Sequence, residues 1–580
     1  MSEHGLRPLL FDGAMGTYYK SLYPADEQPC ELACLDHPQR VSAIHAQYLD
    51  AGAQAVKTNS FAANTAVLPG GLSQALQVVR ASYALAKQAC AGRQAQVFAD
   101  IGPIPGGDPA EYDAIVDAFL QLGADRFLLE TFAEEQAPLR MARRIKAARP
   151  DALVIVSFAV SPDGFSQSGR SLLSLLRPLD QEPAVDLLGL NCVSGPFHLL
   201  QLVRSLPPLH KPLSVMPNAG SPKELSGRTY FPASPAYFAS QLAQLAPYAK
   251  VLGGCCGTTP AFIAAAAQAL RHGAIPAEPR SQEPQAASAP PTARDVSPFF
   301  RALESGETPI AVELDPPAAR DLAPFLNGAR RLQAAGAQAL TISDCPIARV
   351  RADSSLLAAK LHRELGLETI PHMTCRDRNL LAAKALLLCL SLEGVPSVLA
   401  VTGDPIPTND RGVQGVFSFN SVLLMRYIAE LSEQLAWPFR IYGALNVNAR
   451  NFDAELDKAR RKQEAGACGF FTQPVSSDRA LANLETARRR LSAKLLGGVM
   501  PVLSHRNALF LQNEVSGVHL PDELVARYEG LDKKASHALA LELSVQMARR
   551  MSPLVDGYYL MTPLGNVRIM EKLIAAIRQG

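Results

Sequence analysis

No long run of one charge sign occurs in the 580 residues: 56 basic and 54 acidic side chains are interspersed, for a net charge of +2. That leaves no electrostatic footprint for nucleic acid, and a partner of that class is not expected. Apolar runs long enough to cross a bilayer are also lacking; the richest stretch, near Leu380 to Val401, is broken by Lys384 and Glu393. No membrane partner is expected either. The opening Met-Ser-Glu-His-Gly has neither the basic region nor the apolar run of a secretory leader, which points to the cytoplasm. In that reducing compartment the ten cysteines should be metal ligands or buried thiols, not disulfides. Finally, no G-x-G-x-x-G opens a helix, so a Rossmann dinucleotide site is not expected.

What is present is globular composition, 48% hydrophobic with 19% charged residues, in a chain too long for one ordinary core. A Pro-, Ala- and Ser-rich stretch without apolar periodicity, residues 274–298, reads as a semi-extended linker between domains at 1–273 and 299–580. Each half then shows eight short apolar runs separated by amphipathic helical segments. In the first they are LLFDGAM, AVKTNSF, VFADIG, FLLETF, LVIVSFAV, LLGLNCV, LSVMPNAG and VLGGCCG. In the second they are IAVELDPP, ALTISDCP, TIPHMTC, VLAVTGDP, IYGALNV, FFTQPV, LLGGVMPV and YYLMTPL. Continuous apolar strands alternating with helices imply parallel sheets covered on both faces. Eight units per half predict an α/β protein of two tandem (β/α)8 barrels.

Polar or reactive residues cluster at the carboxyl ends of these strands, where barrels build their sites. In the first half these are Asp12, Asn59, Asp100, Glu130, Asn191, Cys192, Asn218, Cys255 and Cys256. In the second they are Glu313, Asp344, His372, Asp404, Asn446, Gln473 and His505. Any one of them alone reads as a strand-end cap; their joint placement predicts two active sites.

Cys192 follows strand six and the Cys255–Cys256 pair follows strand eight, so in a closed barrel the three thiols can converge over one mouth. Gly253, Gly254 and Gly257 permit the tight turn this needs. Three thiolates without a fourth protein ligand match the open coordination of a catalytic zinc. Solitary residues such as Cys90 and Cys389 read as ordinary buried thiols. A thiol substrate in the fourth position would be deprotonated by the metal and become a nucleophile toward an electrophilic methyl group. Asp12 and Glu130 could hold a substrate ammonium, and backbone amides around Gly13 to Thr17 a carboxylate.

FDGAMGT (Phe11–Thr17), KTNSFAAN (Lys57–Asn64), LLETF (Leu128–Phe132), GLNC (Gly189–Cys192), PNAG (Pro217–Gly220) and GGCCGTTP (Gly253–Pro260) together resemble the homocysteine S-methyltransferase domain. The likeness runs from about Leu9 to Arg271. It implies Cys192, Cys255 and Cys256 as zinc ligands, with Asp12, Gly13 and Glu130 at the homocysteine. It leaves the methyl donor open, and the second half leaves no stretch for a cobalamin-binding module.

In the second half, Glu313 in VELDPP sits deep enough in a barrel mouth for a raised pKa and a general-acid role, or is a plain strand-end carboxylate. His372 reads equally as a core histidine, and Arg376 and Arg378 as anion-gripping or solvated. Asp404, between Gly403 and Pro405, lies on a tight turn. VELDPP, TISDCP, PHMTCRDRN, VTGDP, RRKQEAGACGFFTQPV and GGVMPVLSHRNALF, over about Thr308 to Arg578, resemble methylenetetrahydrofolate reductase. The resemblance implies FAD held by His372, Thr374, Asp404, Asn446, Arg461 and Lys462, with NAD(P)H as electron donor. It implies Glu313 as the acid that opens the methylene bridge and Asp404 also at the reacting centre. Gln473 and His505 fall to the folate. The loop NVNARNFDAEL lacks the Tyr and His that some relatives place against FAD; Asn446 and Asn448 stand there instead.

The implied partners are small molecules: homocysteine, a methyl donor, methylenetetrahydrofolate and NAD(P)H. A homo-oligomer is left open. Two other readings compete, one with a single catalytic half and one with a homocysteine- or folate-binding sensor that turns nothing over.

Overall fold

A computed structural model describes residues 7–220, 223–225, 228–231, 234–271, 297–406, 415–515 and 517–579. The chain divides into two compact units, Met1–Ala287 and Ser288–Gly580. The linker read at 274–298 lies, except for its last two residues, outside the described residues.

In the first unit the eight apolar runs become parallel strands: β1 (Leu9–Leu10), β2 (Ala55–Lys57), β3 (Gln96–Ile101), β4 (Arg126–Phe132), β5 (Leu153–Phe158), β6 (Leu187–Asn191), β7 (Leu213–Met216) and β10 (Ala249–Leu252). A small antiparallel hairpin, β8 (Lys223–Leu225) and β9 (Arg228–Tyr230), intervenes between β7 and β10; no signal in the sequence announced it. β1 pairs with β10 on one side. On the other side a single bridge, Phe11 to Ala55, closes the ring, with the Asp12 N–H donating to the Ala55 carbonyl at 2.9 Å.

The second unit is a closed parallel barrel of β11 (Ile310–Glu313), β12 (Ala339–Ile342), β13 (Glu368–Thr374), β14 (Ser397–Val401), β15 (Arg440–Leu445), β16 (Gly469–Pro474), β17 (Lys494–Val499) and β18 (Gly557–Met561). Its helices start where a short polar side chain precedes the apolar stripe. Asp353, Asn379, Asn420, Asn451, Ser477, Ser504 and Asp532 each accept a backbone N–H of the first turn. A buried carboxylate anchors the opening helix Pro298–Ser305: Glu368 accepts from Ser297 Oγ at 2.7 Å, the Phe299 N–H at 2.8 Å and Ser397 Oγ at 2.6 Å.

Each barrel is plugged by one inward residue per strand. These are Phe11, Ala55, Phe98, Leu128, Ile155, Leu187, Met216 and Val251 in the first. In the second they are Ala311, Ala339, Ile370, Leu399, Tyr442, Phe471, Leu496 and Tyr559. Side chains alternate faces, so residues two positions further along point inward again, one storey nearer the carboxyl ends. In the first barrel that storey holds Gly13, Lys57, Asp100, Glu130 and Asn218; in the second it holds Glu313, His372 and Gln473. The polar residues thus stand on a dry floor, and strand parity brings them together. Among the described residues no helix is long and apolar enough to cross a membrane.

Candidate active sites

The first site is built around sulfur. Cys192 follows β6 with φ 57°, and Val193 follows with φ 55°, a left-handed pair at the point where the chain leaves the strand. Opposite it, the Cys255 N–H donates to the Pro217 carbonyl at 2.8 Å, and the Cys256 carbonyl accepts from the Ala219 N–H at 2.9 Å. Gly257, at φ 79° and pressed against the Phe231 ring, completes a turn that a side chain would block. The sulfurs of Cys192, Cys255 and Cys256 lie within 4.8 Å of one another, with Cys192 and Cys256 3.6 Å apart. Thiolates at about 2.3 Å from a tetrahedral zinc lie about 3.8 Å from each other, close to the Cys192–Cys256 separation, so the trio is of a size to hold that ion. The donor chemistry agrees. Hydrogen bonding within the trio pulls Cys192 and Cys256 in both directions, burial pushes them up, and both settle at about 12. Three thiolates therefore need a cation among them.

Beneath the sulfurs lies a buried charge cluster. The Lys57 backbone N–H donates to Asp12 Oδ2 at 3.0 Å; its ammonium lies 3.7 Å from Asp12 Oδ1 and donates to the Gly254 carbonyl at 3.3 Å. Burial alone would lower the Lys57 ammonium, but Glu130, Asp12, Cys255 and Asp100 outweigh it and raise it. Burial pushes Asp12 up to about 7 against the pull of Lys57. Burial and then the Glu130 carboxylate push Asp100 well above the usual carboxylate range. Asn191 aims Glu130: its amide N donates to Glu130 Oε2 at 2.9 Å while its amide O accepts from Ser157 Oγ at 2.7 Å and the Thr131 N–H at 3.0 Å. Gly13 packs so closely that a Cβ would meet Thr258 Oγ1 at 2.5 Å, and the Ala14 N–H is already donated to that oxygen. Asn59 turns away from this group, its amide donating to the Cys30 carbonyl at 2.8 Å. Sequence reasoning passed over Lys57; its signal was a lone cation two residues after the inward Ala55.

In the second site Glu313 receives the Tyr559 hydroxyl on Oε2, and His372 Nε2 lies 3.8 Å from the same oxygen. Burial and the neighbouring Asp315 push Glu313 up to about 7, against the Tyr559 hydrogen bond. Burial holds His372 down at about 4, and its Nε2 has no hydrogen-bond partner. His372 is thus a neutral ring with an open nitrogen, not a satisfied core histidine. Thr374 donates from its N–H and hydroxyl to Asp344 Oδ2, at 3.2 and 2.9 Å. Arg378 is spent within the protein, on Asp344 at 2.8 Å and Asp353 at 2.6 Å, and Arg376 on Asp377 at 2.7 Å. Neither arginine is simply solvated; both brace the loop after β13. Gly403, at φ 91°, would set a Cβ 3.1 Å from those of Thr374 and Arg376, so the β14 loop lies hard against the β13 loop.

Asp404 is exposed and accepts the Ile347 N–H at 2.7 Å. Lys462 is buried, pushed down to about 8 by that burial, and donates to the Ala444 carbonyl at 2.6 Å. Its neighbour Arg461 is exposed on the same helix, Phe452–Glu464. Asn446 is used locally, accepting the Asn448 N–H at 3.0 Å. Asn448 reaches the Pro474 and Gly517 carbonyls, each at 3.0 Å, with its own amide oxygen buried and unpartnered. The Gln473 side chain lies against Gly517. His505 is half-buried as the first residue of the helix His505–Glu514, with no hydrogen bond to the Glu313 group. Cys389, expected to be buried, is exposed on the helix Leu380–Leu392, while Cys90 is buried as expected.

Comparison with known proteins assigns each half separately. Residues 9–270 match the homocysteine S-methyltransferase family and residues 299–571 the methylenetetrahydrofolate reductase family. The chain is 31% identical over 328 residues to a methionine synthase of Mycobacterium tuberculosis, covering 50% of this chain and 27% of that protein. It is 29% identical over 300 residues to a homocysteine S-methyltransferase of Escherichia coli, covering 44% of this chain and 93% of that protein. The chain thus spans about a quarter of the mycobacterial methionine synthases it matches, 27% and 25% of their lengths. Among solved structures, the metallated form of the homocysteine methyltransferase MmuM from Escherichia coli is similar at 25% identity and TM-score 0.38, over 45% of this chain and 96% of that one. The chain therefore carries a homocysteine S-methyltransferase domain in residues 9–270 and a methylenetetrahydrofolate reductase domain in residues 299–571.

Proposed function

We propose that the chain is a bifunctional one-carbon enzyme of the cytoplasm. Its first domain, 1–273, transfers a methyl group to homocysteine, giving methionine. Its second, 299–580, reduces 5,10-methylenetetrahydrofolate to 5-methyltetrahydrofolate at the expense of NADH or NADPH. The observation that carries the first half is the zinc-sized triangle of Cys192, Cys255 and Cys256 above a buried acid cluster. Zinc held there keeps a bound thiol deprotonated at neutral pH. Asp12 and Glu130 bind the substrate ammonium, Asn191 keeps Glu130 aimed, and the Lys57 ammonium offsets part of the acids' charge. Gly13 lets the substrate backbone approach.

In the second half FAD, when bound, supplies the hydride chemistry. His372, Thr374, Asp404, Asn446, Arg461 and Lys462 hold it, and the open His372 nitrogen and the close-packed Gly403 turn support that fit. Gln473 and His505 position the folate. Glu313, poised near neutrality, donates a proton to the bridging amine so that the five-membered ring opens before hydride arrives. Asp404 borders the same reacting centre. All substrates are small molecules.

The test is a Cys256→Ala variant of the whole chain. It should lose zinc and methyl transfer to homocysteine while NADH still bleaches the flavin absorbance at the parental rate. Normal methionine formation in that variant refutes the zinc reading. A parent protein that binds no flavin refutes the reductase reading.

A further inference from the structure

The floor beneath Glu313 carries a polar atom that the reaction has not yet used. Tyr559 on β18 stands in register with Ala311 on β11, one storey below Glu313. Its ring is part of the apolar plug, edge-on to Phe471 at a centroid distance of 4.8 Å. A tyrosine pointing inward at that level sends its hydroxyl up through the floor, where it donates to Glu313 Oε2. Among the described residues no other hydrogen-bond donor to this carboxyl is found.

We infer that Tyr559 is a positioning residue for the proton-transfer step, fixing Glu313 Oε2 through its hydroxyl so that the other carboxyl oxygen addresses the substrate. The inference rests on Glu313 being the acid.

The surroundings favour this over a purely structural contact. The groups facing Glu313 are Asp315 from its own segment, His372 from β13 and Tyr559 from β18. Asp315 repels the ionised form, and His372, neutral at working pH, offers no compensating charge. Tyr559 alone favours the carboxylate, and so opposes burial in setting the proton affinity near neutrality. The phenol does not ionise in Glu313's place. Burial and then the Glu313 charge push it well above its ordinary value, so it remains a donor throughout. A phenylalanine would fill the same space in the plug without the donor, and the fold tolerates it.

The experiment uses Tyr559→Phe and Glu313→Gln in the full, flavin-loaded chain. Stopped-flow absorbance follows flavin reduction by NAD(P)H and reoxidation by methylenetetrahydrofolate across a pH series spanning neutrality. Tyr559→Phe should leave reduction at the parental rate and slow reoxidation. The pH midpoint of reoxidation should rise by about one to two units, the size of one hydrogen bond to a charged group. Infrared difference spectroscopy reads the same midpoint without turnover, from the carboxyl band that disappears in Glu313→Gln. An unmoved midpoint in Tyr559→Phe, or equal slowing of both half-reactions, overturns the inference. If Glu313→Gln is reoxidised at the parental rate, the assignment of the acid itself has failed, and Tyr559 with it. If Glu313→Gln is slow while Tyr559→Phe keeps the parental midpoint, only the positioning role is lost.

Discussion

Replacing Lys57 by Met tests the charge cluster of the first barrel through stability, without reference to activity. Lys57 and Asp12 have side chains only 7% and 3% exposed, so removing the ammonium leaves buried acids with no cation from the chain beside them. Breaking a buried pair in this way costs about 3–5 kcal/mol. For a barrel of this size that is a fall in melting temperature on the order of 6–20 °C. The fall should depend on pH in a definite direction. Asp12 titrates near 7 in the folded protein against an ordinary 3.8, so between those values the folded state holds a proton the unfolded state has released. Stability therefore declines as pH rises through that window. Lys57 pulls the Asp12 pKa down; without it the window extends above 7, and the variant should lose more at alkaline than at acid pH. Scanning calorimetry of the whole chain supplies its own reference, because the second barrel's transition should not move. An unchanged first transition, an equal loss on both sides of neutrality, or parallel movement of both transitions refutes the argument.

Gly403→Ala forces a left-handed backbone on a residue with a Cβ, a strain of about 1–2 kcal/mol, and should weaken flavin retention about tenfold, read from flavin absorbance after gel filtration. Cleavage or separate expression at Ala287 should yield two soluble halves, each with its own cooperative melt; an insoluble half would refute the two-domain division. Stripping metal with a chelator should lower the melting transition of the first barrel alone, because an ion held by Cys192, Cys255 and Cys256 would tie β6 to the turn after β10; a shift in the second barrel would place the metal elsewhere.

The sixteen strands were legible because a strand buried on both faces reads as an unbroken apolar run, and each run in LVIVSFAV or LLGGVMPV ends on its own punctuation. The thiol triangle was legible from strand order alone. What the sequence hid was direction. Lys57 in AVKTNSF and Tyr559 in YYLMTPL sit inside runs whose inward parity is set by barrel closure, which no local pattern encodes. The role of Arg378 was hidden for a related reason: its partners Asp344 and Asp353 come from a different strand's loop. The hairpin β8–β9 escaped because its strands of three residues carry no periodicity to detect.

The two-residue strand β1 has a consequence for how the chain is made. Leu9 and Leu10 find their partners at Val251 and Leu252, at the far end of the first barrel. At about 5–20 residues per second, translation takes roughly 12–50 s to deliver those partners. During that time β2 to β7 can assemble neighbour by neighbour and Phe11 can bridge to Ala55, while the edges that β1 and β7 offer to β10 stay open and Lys57 lacks the Gly254 carbonyl. Completion of the first barrel thus waits on the ribosome, and the second barrel begins to emerge just as the first can close. A permuted gene that moves the opening segment behind Arg271 would shorten that wait to the synthesis of a single helix.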